Sequence, residues 1–155
     1  MSLATGTPAP AFSLYDTDKK LTTLADFKGK NLVILFFPLA FTSVCTAELC
    51  SMRDNLATYN GLNADVVAIS VDSPFVLGKF KEEQQLNFPL LSDFNKEVSK
   101  AYGAYYDNFV LDLKGVSKRA AFVVDKTGNL QYAEVLDSAG NLPDFEKIKE
   151  TLAKL

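Results

Sequence analysis

From Leu32 to Phe37 (LVILFF) every residue is apolar, so a strand placed there is apolar on both of its alternating faces. Such a strand is stable only inside a sheet that is covered on both sides. Pro38, which has no amide proton to give to a ladder, closes it. Residues 31–37 are therefore read as a central strand.

After a loop, Cys45, Leu49, Met52 and Leu56 recur at spacings of four, three and four, the period of one helix face. They predict a helix over residues 43–59, ended by Gly61 and Asn63. Residues 65–71 (DVVAISV) read as a second buried strand. Strand, helix and strand in succession imply parallel strands with a right-handed crossover, which makes the fold α/β.

Downstream, Ser73 as cap and Pro74 at the first helical position start a helix reaching about residue 85, followed by a short strand over 88–91. Residues 95–102 read as a short helix stopped by Gly103. Residues 105–115 show no clean period and are read as loop or irregular edge. Residues 120–125 and 130–136 flank Lys126-Thr127-Gly128-Asn129 and predict an antiparallel hairpin. A last helix follows over 143–154. No repeat or linker interrupts the 155 residues, and one domain over 1–155 is the expectation.

The 16 basic residues are dispersed and are outnumbered by 19 acidic ones, for a net charge of −3, so nucleic acid and anionic membrane are poor candidate partners. The longest apolar run, residues 32–41 with Pro38 inside it, is too short to span a bilayer. The first ten residues lack the charged and apolar regions of a secretory signal, and a cytoplasmic protein is expected.

The chain has no histidine, which excludes Ser-His and Cys-His catalysis and most zinc sites. Two cysteines alone cannot close a structural zinc site, and a reducing cytoplasm disfavours a purely structural disulfide. The thiols are therefore packing or redox chemistry. Cys45 falls in the first turn of the helix that follows the central strand. Unpaired N–H groups and the positive end of the helix dipole favour a thiolate there. Without histidine, arginine is the natural second source of positive charge.

Pro38, Thr42 and Cys45 match the signature Pro-x-x-x-Thr-x-x-Cys, and in this the chain resembles the peroxiredoxin family. Ala4-Thr5-Gly6-Thr7-Pro8-Ala9-Pro10-Ala11-Phe12 near the start and Arg119 just before Phe122-Val123-Val124-Asp125 strengthen the resemblance. The order of elements is similar to the thioredoxin fold, a central mixed sheet flanked by helices, with the family's N-terminal addition.

The resemblance implies a thiol peroxidase that needs neither a metal nor an organic cofactor. Cys45 would attack a hydroperoxide and become a sulfenic acid, and Thr42 would hydrogen-bond the peroxide. Pro38 would shield the thiolate from water, and Arg119 would stabilise thiolate and peroxide oxygens. The N–H groups of Val44 and Cys45 are the matching backbone donors. Glu48 looks like the family's acidic residue that orients the arginine, with Arg53 as a second partner, and Phe41 and Phe75 are candidates for lining the site. Phe36-Phe37-Pro38-Leu39-Ala40-Phe41-Thr42 resembles the alkyl hydroperoxide reductase E group, often one-cysteine enzymes. Cys45-Thr46-Ala47-Glu48-Leu49-Cys50 resembles the bacterioferritin comigratory protein group, in which the second cysteine resolves the sulfenic acid as an internal disulfide. Recycling by thioredoxin or another thiol reductant follows from either likeness. A homodimer resembles what relatives form, and a monomer is the alternative.

Blander readings stand beside these. A cysteine on an apolar helix face is most often core, Thr42 is a natural helix cap, and Pro38 a strand end. Arg119 closes the run Lys114-Gly115-Val116-Ser117-Lys118-Arg119, ordinarily a solvated basic loop. Tyr102, Tyr105, Tyr106 and Phe109 read as core or subunit interface. A dithiol-disulfide oxidoreductase would share the fold but usually carries Cys-x-x-Cys, whereas four residues separate Cys45 from Cys50. A non-catalytic binding domain would have an unreactive thiol.

Overall fold

The computed structural model describes residues 3–155, so the first two residues of the expected domain lie outside it. The strands are β1 (Ser13–Asp16), β2 (Leu21–Thr23), β3 (Asn31–Phe36), β4 (Ala64–Ser70), β5 (Leu90–Ser92), β6 (Tyr105–Tyr106), β7 (Val116–Ser117), β8 (Ala120–Val124) and β9 (Leu130–Val135). The α-helices are α1 (Ser43–Gly61), α2 (Pro74–Gln84), α3 (Glu97–Ala101) and α4 (Phe145–Ala153), with 3-10 turns at Leu24–Phe27 and Val110–Asp112.

Seven strands form one mixed sheet in the order β2-β1-β5-β4-β3-β8-β9, and β6 pairs β7 separately. The apolar run is buried along the whole of β3. Its neighbours are β4, parallel with Val33 opposite Val66, and β8, antiparallel with Ile34 opposite Phe122. Helix α1 is the crossover between β3 and β4, and β8 and β9 form the expected hairpin.

One face of the sheet, including Val33, Leu35, Val66 and Val123, packs against Leu49, Met52 and Tyr59 of α1, Leu77 and Phe80 of α2, and Ile148 and Leu152 of α4. The other face, Leu14, Leu32, Ile34, Phe36, Val67 and Phe122, is covered by Phe12, Val98 and Tyr102. Each fully buried side chain of this size contributes about 1.5–3 kcal/mol of transfer free energy. The two layers hold β3 rigid from both sides.

Four expectations shift. Strand β5 begins at Leu90, two residues late, because Pro89 has no amide proton to give and contributes only its carbonyl, which accepts from Ala68. Helix α3 begins at Glu97, after Asp93, whose carboxylate accepts from the amides of Val98 and Ser99. Helix α4 starts two residues after Pro143 because the Asp144 side chain caps it, accepting from the Lys147 amide. Strands β1 and β2 were not expected, since Leu14 is their only buried residue and gives no pattern.

Candidate active site

The site is built where β3 ends. The Phe37 amide makes one last ladder bond to the Ile69 carbonyl. Beyond it the chain turns under Asp72, whose Oδ2 accepts from the Ala40 amide at 2.8 Å and from the Ser70 hydroxyl at 2.7 Å. Phe41 takes a left-handed conformation (φ 68°), and helix α1 starts two residues later. Thr42 occupies the N-cap position with extended backbone, but its hydroxyl does not cap. Instead Oγ1 donates to the Leu39 carbonyl at 2.7 Å. The amides of Ser43, Val44 and Cys45, in the first turn, precede the first intrahelical bond, made by Thr46 to the Thr42 carbonyl at 2.9 Å.

Cys45 and Glu48, one helical turn apart, are both buried and both face Arg119. Arg119 lies between β7 and β8 and is itself 1% exposed. Its Nη2 donates to Cys45 Sγ at 3.1 Å and its Nη1 to Glu48 Oε1 at 2.6 Å. The Ala139 carbonyl accepts from Nε at 3.2 Å and from Nη2 at 3.0 Å. All three guanidinium nitrogens are thereby engaged, and the planar fork is locked in one orientation. Burial opposes the guanidinium's charge, but Glu48 and Cys45 outweigh it and hold the group above its ordinary range. Burial pushes the Glu48 carboxyl up to about 7, against the opposing pull of Arg119, and Oε2 has no hydrogen-bond partner among the described residues.

Above the sulfur opens a cavity of about 260 Å³ lined by Pro38, Thr42, Val44, Cys45, Arg119 and, from the far side, Phe109 and Val110. The walls are mostly apolar, and Arg119 Nη2 reaches the sulfur from among them. Such a cavity can admit a small molecule and offer it a buried nucleophile, one fixed cation and the free amides of the first helical turn.

Residues 5–133 match the AhpC/TSA family. The chain belongs to that family and is a peroxiredoxin. It is thus a thiol peroxidase, an enzyme that reduces hydroperoxides. This peroxiredoxin is 36% identical over 156 residues to alkyl hydroperoxide reductase E of Mycobacterium tuberculosis, covering 99% of this chain and 98% of the relative. To peroxiredoxin Bcp of Escherichia coli it is 35% identical over 131 residues, 84% of each chain. Among solved structures, peroxidoxin BcpB of Mycobacterium tuberculosis superposes with a TM-score of 0.86 at 27% identity, over 99% of this chain and 98% of that one.

Pro38, Thr42, Val44, Cys45 and Arg119 all line the cavity of the peroxiredoxin, with Glu48 behind the arginine. Phe41 does not: its positive φ turns the ring onto Phe80, at 5.0 Å between centroids, outside the lining. Phe75 is also elsewhere, 71% exposed beneath the Lys19 ammonium. Arg53 is not a partner of Glu48, since it binds Asp54 and the Gln84 carbonyl. Cys50 is half-buried and faces α2, donating to Gln84 Oε1 at 3.4 Å. The expected aromatic cluster divides: Tyr102 is core against Phe36 and Phe122, whereas Phe109 stacks on Tyr106 and reaches the cavity.

Phe109 was expected as core or interface and not at the cavity, and Val110, Asp72 and Ala139 were not singled out at all. The first two lie in an aperiodic segment, and Ala139 acts through its carbonyl, which any residue would supply. Asp72 alone left a signal, an acidic side chain directly after a buried strand. Among the described residues no helix is long and apolar enough to cross a membrane.

Proposed function

We propose that Cys45 is the peroxidatic nucleophile. The thiolate attacks the terminal oxygen of a hydroperoxide, forming an S–O bond as the O–O bond breaks, and the alcohol or water leaves with a proton. The observation that carries this reading is the 3.1 Å contact of the buried Arg119 with Cys45 Sγ. Arg119 holds the sulfur and the developing charge together, and Glu48 keeps the fork aimed. The amides of Val44 and Cys45 supply further donors. Thr42 has given its only hydroxyl proton to Leu39, so it meets the peroxide with lone pairs and accepts the peroxide's own O–H. Pro38, buried, walls the sulfur from water.

Cys50 then resolves the sulfenic acid as an internal disulfide, and thioredoxin or a similar dithiol reductant in a reducing cytoplasm restores both thiols. We read residues 1–155 as one domain, working as a homodimer or as a monomer. A one-cysteine cycle, with an external thiol reducing Cys45 directly, is favoured by one observation: in the reduced fold Cys45 and Cys50 sit in one unbroken helix and face different elements. One mass spectrum after a single equivalent of peroxide decides. Loss of two hydrogens supports the disulfide, and gain of one oxygen in a stable product overturns it. Peroxide consumption that persists in Cys45→Ser would overturn the whole reading.

A further inference from the structure

Helix α1 presents its two thiols to opposite neighbours. Cys45 points to Arg119 at β8, and Cys50 points to Gln84, the last residue of α2. The end of α2 is a fixed partner. Gln85 closes it in a left-handed conformation (φ 53°), and the Leu86 amide donates back to the Lys81 carbonyl. Two further bonds clamp the next turn of α1 to the same place: Arg53 Nη1 donates to the Gln84 carbonyl at 2.5 Å, and Asn87 Nδ2 to the Arg53 carbonyl at 3.2 Å. These groups lie outside the peroxide cavity.

Five residues on a helix advance by about 7.5 Å and turn about 140°, leaving Cα atoms roughly 8.6 Å apart. A disulfide tolerates at most about 7 Å. The sulfurs therefore meet only after part of α1 unwinds and the Cys50 hydrogen bond to Gln84 breaks. In that step the Cys50 sulfur displaces the hydroxyl of the Cys45 sulfenic acid. An S–S bond forms, the S–O bond breaks, and the thiol proton leaves with the hydroxyl as water, so no further oxidant is consumed. While the sulfenic acid waits, a second peroxide can oxidise it to the sulfinic acid.

We propose that Gln84, braced by Arg53, is a positioning residue for the resolving step: it holds Cys50 on the α2 side and sets how long oxidised Cys45 waits for the disulfide. The proposal rests on the reading that Cys50 resolves. Removing one neutral hydrogen bond raises the open population about fivefold. Gln84→Ala, which leaves the backbone clamp intact, closes the disulfide about fivefold faster and tolerates more peroxide before over-oxidation. Gln84→Glu keeps the acceptor and makes it charged, so it holds the thiol proton more strongly and slows the closure.

The test mixes the parental protein and both variants with one equivalent of hydrogen peroxide. Oxidation of Cys45 and closure of the disulfide are followed by rapid quench and mass. Equal first steps with closure shifted in opposite directions support the proposal. A merely structural role moves both variants the same way, because alanine loses a contact and a carboxylate at a helix C-terminus is disfavoured by the dipole. Closure shifted the same way in both, or unchanged in both, overturns the proposal while leaving Cys50 as the resolving thiol. If the parental protein itself forms no disulfide and Cys50→Ser behaves like it, the resolving reading fails and the proposal falls with it.

Discussion

Arg119 Nη2 lies 3.1 Å from Cys45 Sγ, and no guanidinium nitrogen is left free to swing away. Arg119→Lys replaces the fork with one ammonium, which cannot serve sulfur, carboxylate and Ala139 carbonyl together. The expected outcome is a peroxide step about a hundredfold slower, the usual loss for one aimed donor. The chain has no tryptophan to report the reaction, so the rate is read by competition with a peroxidase of known rate. Parental speed in this variant would reduce Arg119 to a structural cation.

Glu48 makes stability pH-dependent in a defined window. Burial raises its carboxyl from 4.5 to about 7, so between those values the folded state binds more protons than the unfolded one. Stability from this group is therefore full below about 4.5 and is lost as pH rises through about 7. Glu48→Gln removes the dependence. Urea unfolding across that range should show the parental protein losing on the order of 3 kcal/mol relative to the variant. A constant difference would mean that Glu48 stays ionised throughout.

Thr42 is expected to matter through its oxygen and hardly at all through its methyl. Thr42→Ser keeps the hydroxyl within reach of the Leu39 carbonyl and should react at near-parental rate, whereas Thr42→Val should be about tenfold to a hundredfold slower with hydrogen peroxide. If Val and Ser behaved alike, the hydroxyl would be only a structural brace for the turn at Leu39.

Cys45→Ser should consume no peroxide and still fold. A serine hydroxyl can accept from Arg119 but has no comparable ionised form near neutral pH. Its thermal midpoint should stay within several degrees of the parental one, since one heavy atom changes size and the core of Leu49, Met52 and Tyr59 is untouched.

Period and composition made the centre of the fold legible, and the margins stayed dark. Leu32–Phe37 announces β3 because each of its faces meets a core, while Ser13–Asp16 buries one leucine and looks like any polar loop. The short motif from Pro38 to Cys45 could be read because local spacing along one turn and one helix start fixes its geometry. Phe41 was misread inside that same motif, because a ring's direction depends on a backbone sign, φ 68°, that a non-glycine residue gives no reason to expect. Phe109 and Val110 reach the cavity through tertiary packing from an aperiodic segment, where no periodicity exists to read.

The Ala139 carbonyl gives the active site an unusual pattern of robustness. No side-chain substitution removes a peptide oxygen, so the two N–H groups of Arg119 that it receives are insensitive to point mutation at that position, short of a change in backbone path. Hydrolysis of the chain is another matter. Asp137, Ser138, Gly140, Asn141 and Leu142 are all solvent-exposed, so a protease can reach the peptide bonds on either side of Ala139. One cut there spares every cavity-lining side chain and both thiols, yet it unties the oxygen that keeps the guanidinium from drifting. Limited proteolysis of the folded protein should therefore silence peroxide reduction before it disperses the sheet.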